Sequence, residues 1–159
     1  MGKTKVFEHQ SVIETTADEL MAFHVHPKAF KRLTPPPIFI QVHRNELTSL
    51  RNGEVEFTLW FGVIPVRWIA RHEAGPIETS FMDRQIKGPL ERWEHQHLFQ
   101  PIEGEPAKTE LIDRITIEHK TGWRGWLTRL FLDGLPLRFL FMYRHQRTKW
   151  ALRNKSGDS

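Results

Sequence analysis

Between residues 38 and 119 the chain is interrupted by turn signals at nearly regular spacing, and this pattern constrains the fold more than any other feature. The signals are Asn52-Gly53, Ile64-Pro65, Gly75-Pro76, Gly88-Pro89 and the segment from Gly104 to Pro106. A spacing of about 12 residues between such signals is typical of consecutive antiparallel hairpins. The pattern predicts strands near 38–49, 54–63, 66–74, 77–87, 90–100 and 109–119, after a first strand over 5–14.

Apolar and polar residues alternate within these segments, which indicates a sheet with one covered face. Val55 and Phe57, for example, share one side of their strand, opposite Glu54 and Glu56. The covered face needs a second layer. Residues 123–152 have helical periodicity and form the only predicted element long enough to supply it, and Pro136 requires this helix to kink or split.

Two short helices are predicted between the first and second strands, over 17–25 and 28–33. Thr16 and Glu19 have the spacing of a capping box, which starts the first helix. The expected architecture is α+β, with a curved seven-stranded antiparallel sheet around a long C-terminal helix and a cavity between them. We expect a single domain over 1–153 and a flexible tail over 154–159.

Three groups of residues resemble the ligand-binding SRPBCC family, whose superfamily includes START domains, the birch-pollen allergen and polyketide cyclases. They are Phe23-His24-x-x-Pro27-x-x-Phe30-x-Arg32-Leu33-Thr34-Pro35-Pro36, then Trp68-x-Ala70-x-His72, then Phe81-x-Asp83-x-Gln85-x-x-Gly88-Pro89-x-x-x-Trp93-x-His95-x-His97-x-Phe99. The resemblance covers roughly residues 5–150. It implies the helix-grip fold, which the order of strands and helices predicts independently.

Strand alternation places several polar side chains on the same face as large aromatic ones, and aromatic side chains favour the covered side. Buried polar groups need partners, so at least one Asp–His hydrogen bond is expected there. The residues predicted to line the cavity and bind a ligand are Trp68, His72, Phe81, Asp83, Gln85, Trp93, His95, His97, Phe99 and Asp113.

Three interpretations of this polar group remain open. The Asp–His pairs could only lock neighbouring strands together, or they could orient the head group of a small apolar or amphipathic ligand. They could also serve a cyclase- or dehydratase-type enzyme that acts on a polyketide-like or aromatic substrate. His95-x-His97 is a usual chelating pair, but its spacing from Gly88 and Glu103 misses the cupin pattern by one residue on each side. We therefore predict no metal and no cofactor.

Composition excludes several classes of protein. Cysteine is absent from the sequence, which excludes disulfides, thiolate metal sites and cysteine nucleophiles and fits a cytoplasmic location. Residues 120–155 contain nine Lys or Arg and a single acid, Asp133. The apolar run 135–143 within this segment is expected to pack on the sheet, or alternatively to lie in a membrane interface with anionic lipids at its basic end. Nucleic-acid binding is not expected, because the basic residues are confined to one helix.

Overall fold

The computed structural model describes residues 2–26 and 28–156, and within them strands and helices follow one another in the predicted order. The strands are β1 (Lys5–Ile13), β2 (Ile38–Asn45), β3 (Gly53–Phe61), β4 (Ile64–Ala74), β5 (Ser80–Lys87), β6 (Arg92–Ile102) and β7 (Glu105–Glu118). The helices are α1 (Ala17–Val25), α2 (Ala29–Arg32), α3 (Gly122–Leu132) and α4 (Gly134–Ser156).

The seven strands form one antiparallel sheet in the order β1-β7-β6-β5-β4-β3-β2. Only β1 leaves the order of the chain, since it pairs with β7 and stands beside the last strand. Register irregularities between Val42 and Arg44, Ile69 and Ala70, and Pro101 and Ile102 interrupt the pairing. Such bulges bend and twist strands, which suits a sheet that curves around a helix.

The capping box that starts α1 is confirmed. The Glu19 backbone N–H donates to Thr16 Oγ1 at 3.2 Å, and the Thr16 N–H donates to the Glu19 carboxylate at 3.4 Å. The helix has the predicted bounds, whereas α2 is limited to Ala29–Arg32.

The sequence predicts that the C-terminal helix kinks or splits because of Pro136, and in the structure it is split into α3 and α4. The break lies at Asp133, which is extended, and Gly134, whose φ of +56° favours glycine. Pro136 itself stands in the first turn of α4, where its missing N–H has no helical partner to lose. Helix α4 continues to Ser156, beyond the predicted boundary at 153, and residues 157–159 of the predicted tail lie outside the described residues.

Helix α4 packs across the concave face of the sheet. Its inner stripe is buried and consists of Leu137, Phe141, His145, Thr148 and Leu152. The Phe141 ring lies 5.5 Å from Phe7 on β1 and 5.1 Å from His95 on β6, measured between ring centroids. None of the described helices has the length and apolar character needed to cross a membrane.

The predicted strand parity is confirmed in the central strands. Trp68, Phe81, Trp93 and Phe99 are all buried on the inner face. Arg67, Arg71 and Arg92 are exposed on the outer face.

Candidate functional site

A row of polar side chains crosses the inner face of the sheet. Strand pairing sets His72 opposite Asp83 and Asp83 opposite His95, and on the neighbouring strands it sets His97 and His9 opposite Asp113. Because directly paired residues point to the same side of a sheet, register alone brings these groups together. We call His9, His72, Asp83, His95, His97 and Asp113 the inner polar row.

Asp113 is the centre of this row. His95 Nε2 donates to its Oδ1 at 2.7 Å, and His145 Nε2 on α4 donates to its Oδ2 at 2.8 Å. His97 Nδ1 also lies 3.0 Å from Oδ1, although it is not aligned for a hydrogen bond. A single buried carboxylate therefore joins β6, β7 and the long helix.

Asp83 faces the same two imidazoles from the other side. His97 Nε2 donates to Asp83 Oδ2 at 2.9 Å, and His95 Nδ1 lies 3.4 Å from the same oxygen. The His95 and His97 rings are 3.7 Å apart between centroids, so the two carboxylates flank a close imidazole pair. The expected Asp–His hydrogen bond is confirmed.

The charges in this row are mutually stabilised. Burial alone would raise the pKa of Asp83 and of Asp113, but the adjacent His95 and the hydrogen bonds from imidazoles hold both well below the usual value. Burial likewise acts to lower the pKa of His95, and the two carboxylates outweigh it, so the pKa of His95 lies above its ordinary value. Asp83 and Asp113 are therefore ionised at neutral pH, and the charged form of His95 is favoured.

His145 was missed by the sequence analysis, which placed no residue of the C-terminal helix among the site residues. It is 1% exposed, and its Nδ1 lies 2.7 Å from Ser11 Oγ on β1. The available signal was its spacing of four from Phe141, which places it on the buried stripe of the helix.

Two histidines are held neutral, namely His24, which borders the row, and His72, which belongs to it. His24 on α1 donates from Nδ1 to the Leu20 carbonyl at 2.8 Å, and burial, with a contribution from His97, lowers its pKa to about 3. His72 donates from Nδ1 to the Leu50 carbonyl at 3.0 Å, and burial lowers its pKa despite the nearby Asp83.

Arg144 on α4 is a second residue that the sequence analysis missed in this role. Its guanidinium carbon lies 5.8 Å from the Phe141 ring centroid, and the side chain is half-buried. Burial lowers the pKa of Arg144, while the charges of Asp113 and Asp83 act in the opposite direction, so the cation is within electrostatic range of the polar row. Among residues 2–26 and 28–156, no acceptor forms a hydrogen bond with this guanidinium.

Aromatic side chains surround the row. Trp68 and Trp93 make an edge contact at 5.6 Å between centroids, and Phe81 stacks on His97 at 4.1 Å. Phe99 lies 5.0 Å from the His24 ring. The row therefore stands in apolar surroundings, in which its hydrogen bonds are strengthened and an unpaired charge would be costly.

Gln85 does not join the row, although its parity is as predicted. Its amide donates to the Leu90 carbonyl at 2.9 Å and accepts from the Leu90 N–H at 3.3 Å. Gln85 thus closes the turn between β5 and β6, and both ends of its side chain are occupied.

Two concavities of the described chain contain no residue of the inner polar row, which is where the cavity was expected. One, of about 580 Å³, lies where β5, β6 and β7 meet the start of α3 and includes Gln85 and Trp93 but none of the inner polar row. The other, of about 170 Å³, lies between the end of β1 and the C-terminal part of α4, with Val12, Lys149 and Leu152 among its lining residues. Phe141 and His145 reach the sheet and occupy the space in which the cavity was expected.

Three members of the row have the composition of a metal site. The ligand atoms of Asp83, His95 and His97 all lie within 4.8 Å of one another. The same distances are also explained by hydrogen bonds and ion pairs without a metal, because each close contact joins an imidazole nitrogen to a carboxylate oxygen. The predicted absence of a metal stays a prediction.

Comparison with known proteins supports the fold through structure only, since no family model and no curated protein sequence matches the chain. A START superfamily protein from Mycobacterium smegmatis is similar with a TM-score of 0.68 at 11% identity, over 94% of this chain and 97% of that one. A norcoclaurine synthase from Thalictrum gives 0.66 at 14% identity, over 98% of each chain. The Zhui aromatase/cyclase from Streptomyces gives 0.56 at 15% identity, over 96% of this chain and 90% of that one.

These similarities agree with the sheet order, the two short helices after β1 and the long helix across the concave face. The motifs quoted above predicted the same architecture. The chain therefore has the helix-grip fold, which it shares with START-type proteins, polyketide cyclases and the birch-pollen type of allergen.

Proposed function

We propose that this chain binds a small amphipathic molecule between the sheet and α4, with an anionic head group against Arg144. The observation that carries the proposal is the Arg144 guanidinium, which lies 5.8 Å from the buried Phe141 ring, within electrostatic range of the inner polar row, and forms no hydrogen bond with an acceptor in the described part of the chain. An arginine in apolar surroundings normally pairs with a carboxylate, sulfonate or phosphate.

The surroundings of Arg144 suit the rest of such a molecule. Aromatic rings of Phe81, Phe99 and Phe141 lie around the row and offer apolar contact area. Asp83 keeps 18% of its side chain exposed, and His72 and Arg144 are half-buried, so this end of the row is open to solvent. A ligand entering here would displace side chains that now fill the interior.

The structural neighbours add support of a general kind. One is described as a norcoclaurine synthase in complex with a transition-state analogue, and another as an aromatase/cyclase. The same fold therefore accommodates small organic molecules in other proteins. The lack of cysteine fits a reducing compartment, and a cytoplasmic location is part of this proposal.

The test compares an anionic probe with a neutral one of similar shape. We expect 8-anilinonaphthalene-1-sulfonate to bind and to fluoresce, and Arg144→Gln to weaken it by about tenfold or more, as for loss of one charge-assisted hydrogen bond. Binding of the neutral N-phenyl-1-naphthylamine should be nearly unchanged. Arg147→Gln is the matched control, because this arginine stacks on Trp150 instead, 4.9 Å from its ring centroid.

Two outcomes would contradict the proposal in different ways. If neither probe binds the wild-type chain, no ligand site of this kind exists. If both bind but Arg144→Gln behaves like Arg147→Gln, the head group is held elsewhere.

A cyclase- or dehydratase-type enzyme is the second candidate, and the imidazole–carboxylate pairs favour it. A carboxylate that holds an imidazole, as Asp83 holds His97, orients it for proton transfer. Ring closure forms a carbon–carbon bond between a methylene carbon and a carbonyl carbon of one open chain, and dehydration then releases the carbonyl oxygen as water. An open-chain polyketide incubated with the chain should therefore lose the mass of one water. The His97→Asn variant should stop that loss while leaving probe binding intact.

A further inference from the structure

Helix α3 turns its apolar residues towards solvent. Trp123 is 71% exposed, Trp126 65% and Leu130 53%. The buried side of α3, which packs against the rest of the protein, is formed by one glycine, one threonine and one leucine, namely Gly125, Thr128 and Leu132. The apolar stripe of this helix is therefore not its core-facing stripe.

The angular order of residues around α3 sharpens this contrast. At about 100° per residue, Trp126, Leu130, Trp123, Leu127 and Phe131 occupy one arc of about 140°. Arg124 and Arg129, both exposed, stand beyond the two edges of this arc. Apolar residues with aromatic anchors, bordered on both sides by arginine, are the arrangement of a helix that lies in a membrane interface.

The apolar surface continues onto neighbouring elements. At the start of α4, Leu135 is 79% exposed, Phe139 53% and Met142 49%. The Phe131 ring contacts Phe61 at the end of β3, 5.4 Å between centroids, and the hairpin that follows carries Val63 at 89% exposure. We call Trp123, Trp126, Leu130, Phe131, Leu135 and Phe139 the α3 face.

The charge around the α3 face distinguishes between two possible binding partners, a second copy of the chain and an anionic membrane surface. Residues 120–155 contain nine Lys or Arg and one acid, and that acid, Asp133, is already paired with Lys5. A second copy of this chain would bring a surface with the same exposed arginines, Arg124, Arg129 and Arg138, against this one, which is repulsive. An anionic lipid surface neutralises the same residues.

We propose that the α3 face docks on the surface of a membrane that contains anionic lipids. The two tryptophans and the adjacent leucine and phenylalanine enter the boundary between head groups and acyl chains. Arg124, Arg129 and Arg138 contact lipid phosphates. The inference rests on this surface alone and does not depend on a ligand in the interior.

The experiment measures binding of the full chain to vesicles by sedimentation and by the shift of tryptophan emission. Vesicles of phosphatidylcholine alone are compared with vesicles that also contain phosphatidylglycerol. We expect binding only to the second kind, with a blue shift in emission, and release as salt is added. Soluble phosphatidylglycerol head group, glycerol phosphate, should not compete, because the apolar contact is part of the site.

Variants separate the apolar and the charged contributions. Trp123→Ser combined with Trp126→Ser should weaken binding by about tenfold or more, whereas Trp150→Ser should not, although Trp150 is 56% exposed on α4. Arg124→Glu should weaken binding by about fivefold or more. Arg153→Glu, which makes the same change of charge on an exposed part of α4 away from the α3 face, should have a smaller effect.

Failure of the chain to bind phosphatidylglycerol vesicles would overturn the proposal, as would equal binding by the paired tryptophan variant and Trp150→Ser. Light scattering of the chain in solution tests the alternative that a second copy of the chain binds the α3 face. A dimer that the Trp123→Ser and Trp126→Ser pair dissociates, without vesicle binding by the wild type, would make the α3 face an interface between copies of the chain. Thermal melts of each variant show whether a loss comes from unfolding, and Arg124→Glu, on an exposed side chain, remains informative if the tryptophan pair is unstable.

Discussion

Asp113→Asn removes one negative charge from the interior and leaves the shape of the side chain nearly unchanged. The carboxylate accepts hydrogen bonds from His95 at 2.7 Å and from His145 at 2.8 Å, and a third nitrogen, on His97, lies 3.0 Å away. An asparagine can offer one oxygen to these three nitrogens, and its NH₂ group would face a donor. His95 would also lose one of the two carboxylates that keep it charged.

Loss of one partner from a buried ion pair costs about 3–5 kcal/mol of unfolding free energy, because the remaining charge stays buried without compensation. We expect a loss of this size for Asp113→Asn in urea unfolding followed by circular dichroism at neutral pH. The matched control is Asp133→Asn, whose pair with Lys5 is partly exposed and should contribute at most about 1 kcal/mol.

A second readout of the same variant is the pKa of His95, followed by NMR of its ring. Because Asp113 is one of the two groups that raise it, the pKa of His95 should fall in Asp113→Asn and stay unchanged in Asp133→Asn. A stability loss no larger than that of the control, or an unchanged pKa of His95, would refute the account of a charged row held by its carboxylates.

Three further results are expected. His24, with a pKa of about 3, stays neutral in the folded chain, whereas in the unfolded chain it binds a proton below about pH 6.5, so acidification destabilises the fold through this residue. Between pH 7 and pH 5, the unfolding free energy of His24→Gln measured in urea should therefore rise by about 2 kcal/mol relative to that of the wild type. No such rise would contradict the burial of a neutral imidazole. Phe141→Ala should cost about 3–5 kcal/mol because this ring is 1% exposed, whereas Phe139→Ala, at 53% exposure, should cost less than about 1 kcal/mol; similar losses would mean that α4 is rotated. Elemental analysis of purified protein should find no stoichiometric zinc, iron or manganese, and an equivalent that His95→Ala removes would revive a metal site at Asp83 and His97.

The strands could be predicted well from the sequence, and so could most of the inner polar row. Alternation with a period of two assigns a face to each residue once one bulky side chain is placed, and Trp93 places His95, His97 and Phe99 together. The pairing of Asp83 with His95 then needs the two strands to be antiparallel and in the correct register, and a short turn favours both.

The helical side of the site could not be predicted in the same way. Helix α4 has two apolar stripes, one through Leu137 and Phe141 and another through Leu135 and Phe139, and periodicity alone does not tell which one meets the sheet. The contribution of His145 follows only from that choice. Whether a cavity remains depends on how closely α4 approaches the sheet, a distance that no local pattern encodes.

The inner polar row also bears on how the strands find their partners during folding. A slip of one residue between β6 and β7 would carry Asp113 to the outer face and leave the buried His95 and His97 to share Asp83 alone. A slip of two residues would keep the face but move Asp113 by about 7 Å, which is beyond hydrogen-bond reach. In an apolar interior such errors have a modest cost, whereas the charged groups on β5, β6 and β7 make a misaligned pairing of these strands expensive. The inner polar row therefore favours the native register of these strands over misaligned pairings, independently of any role in ligand binding.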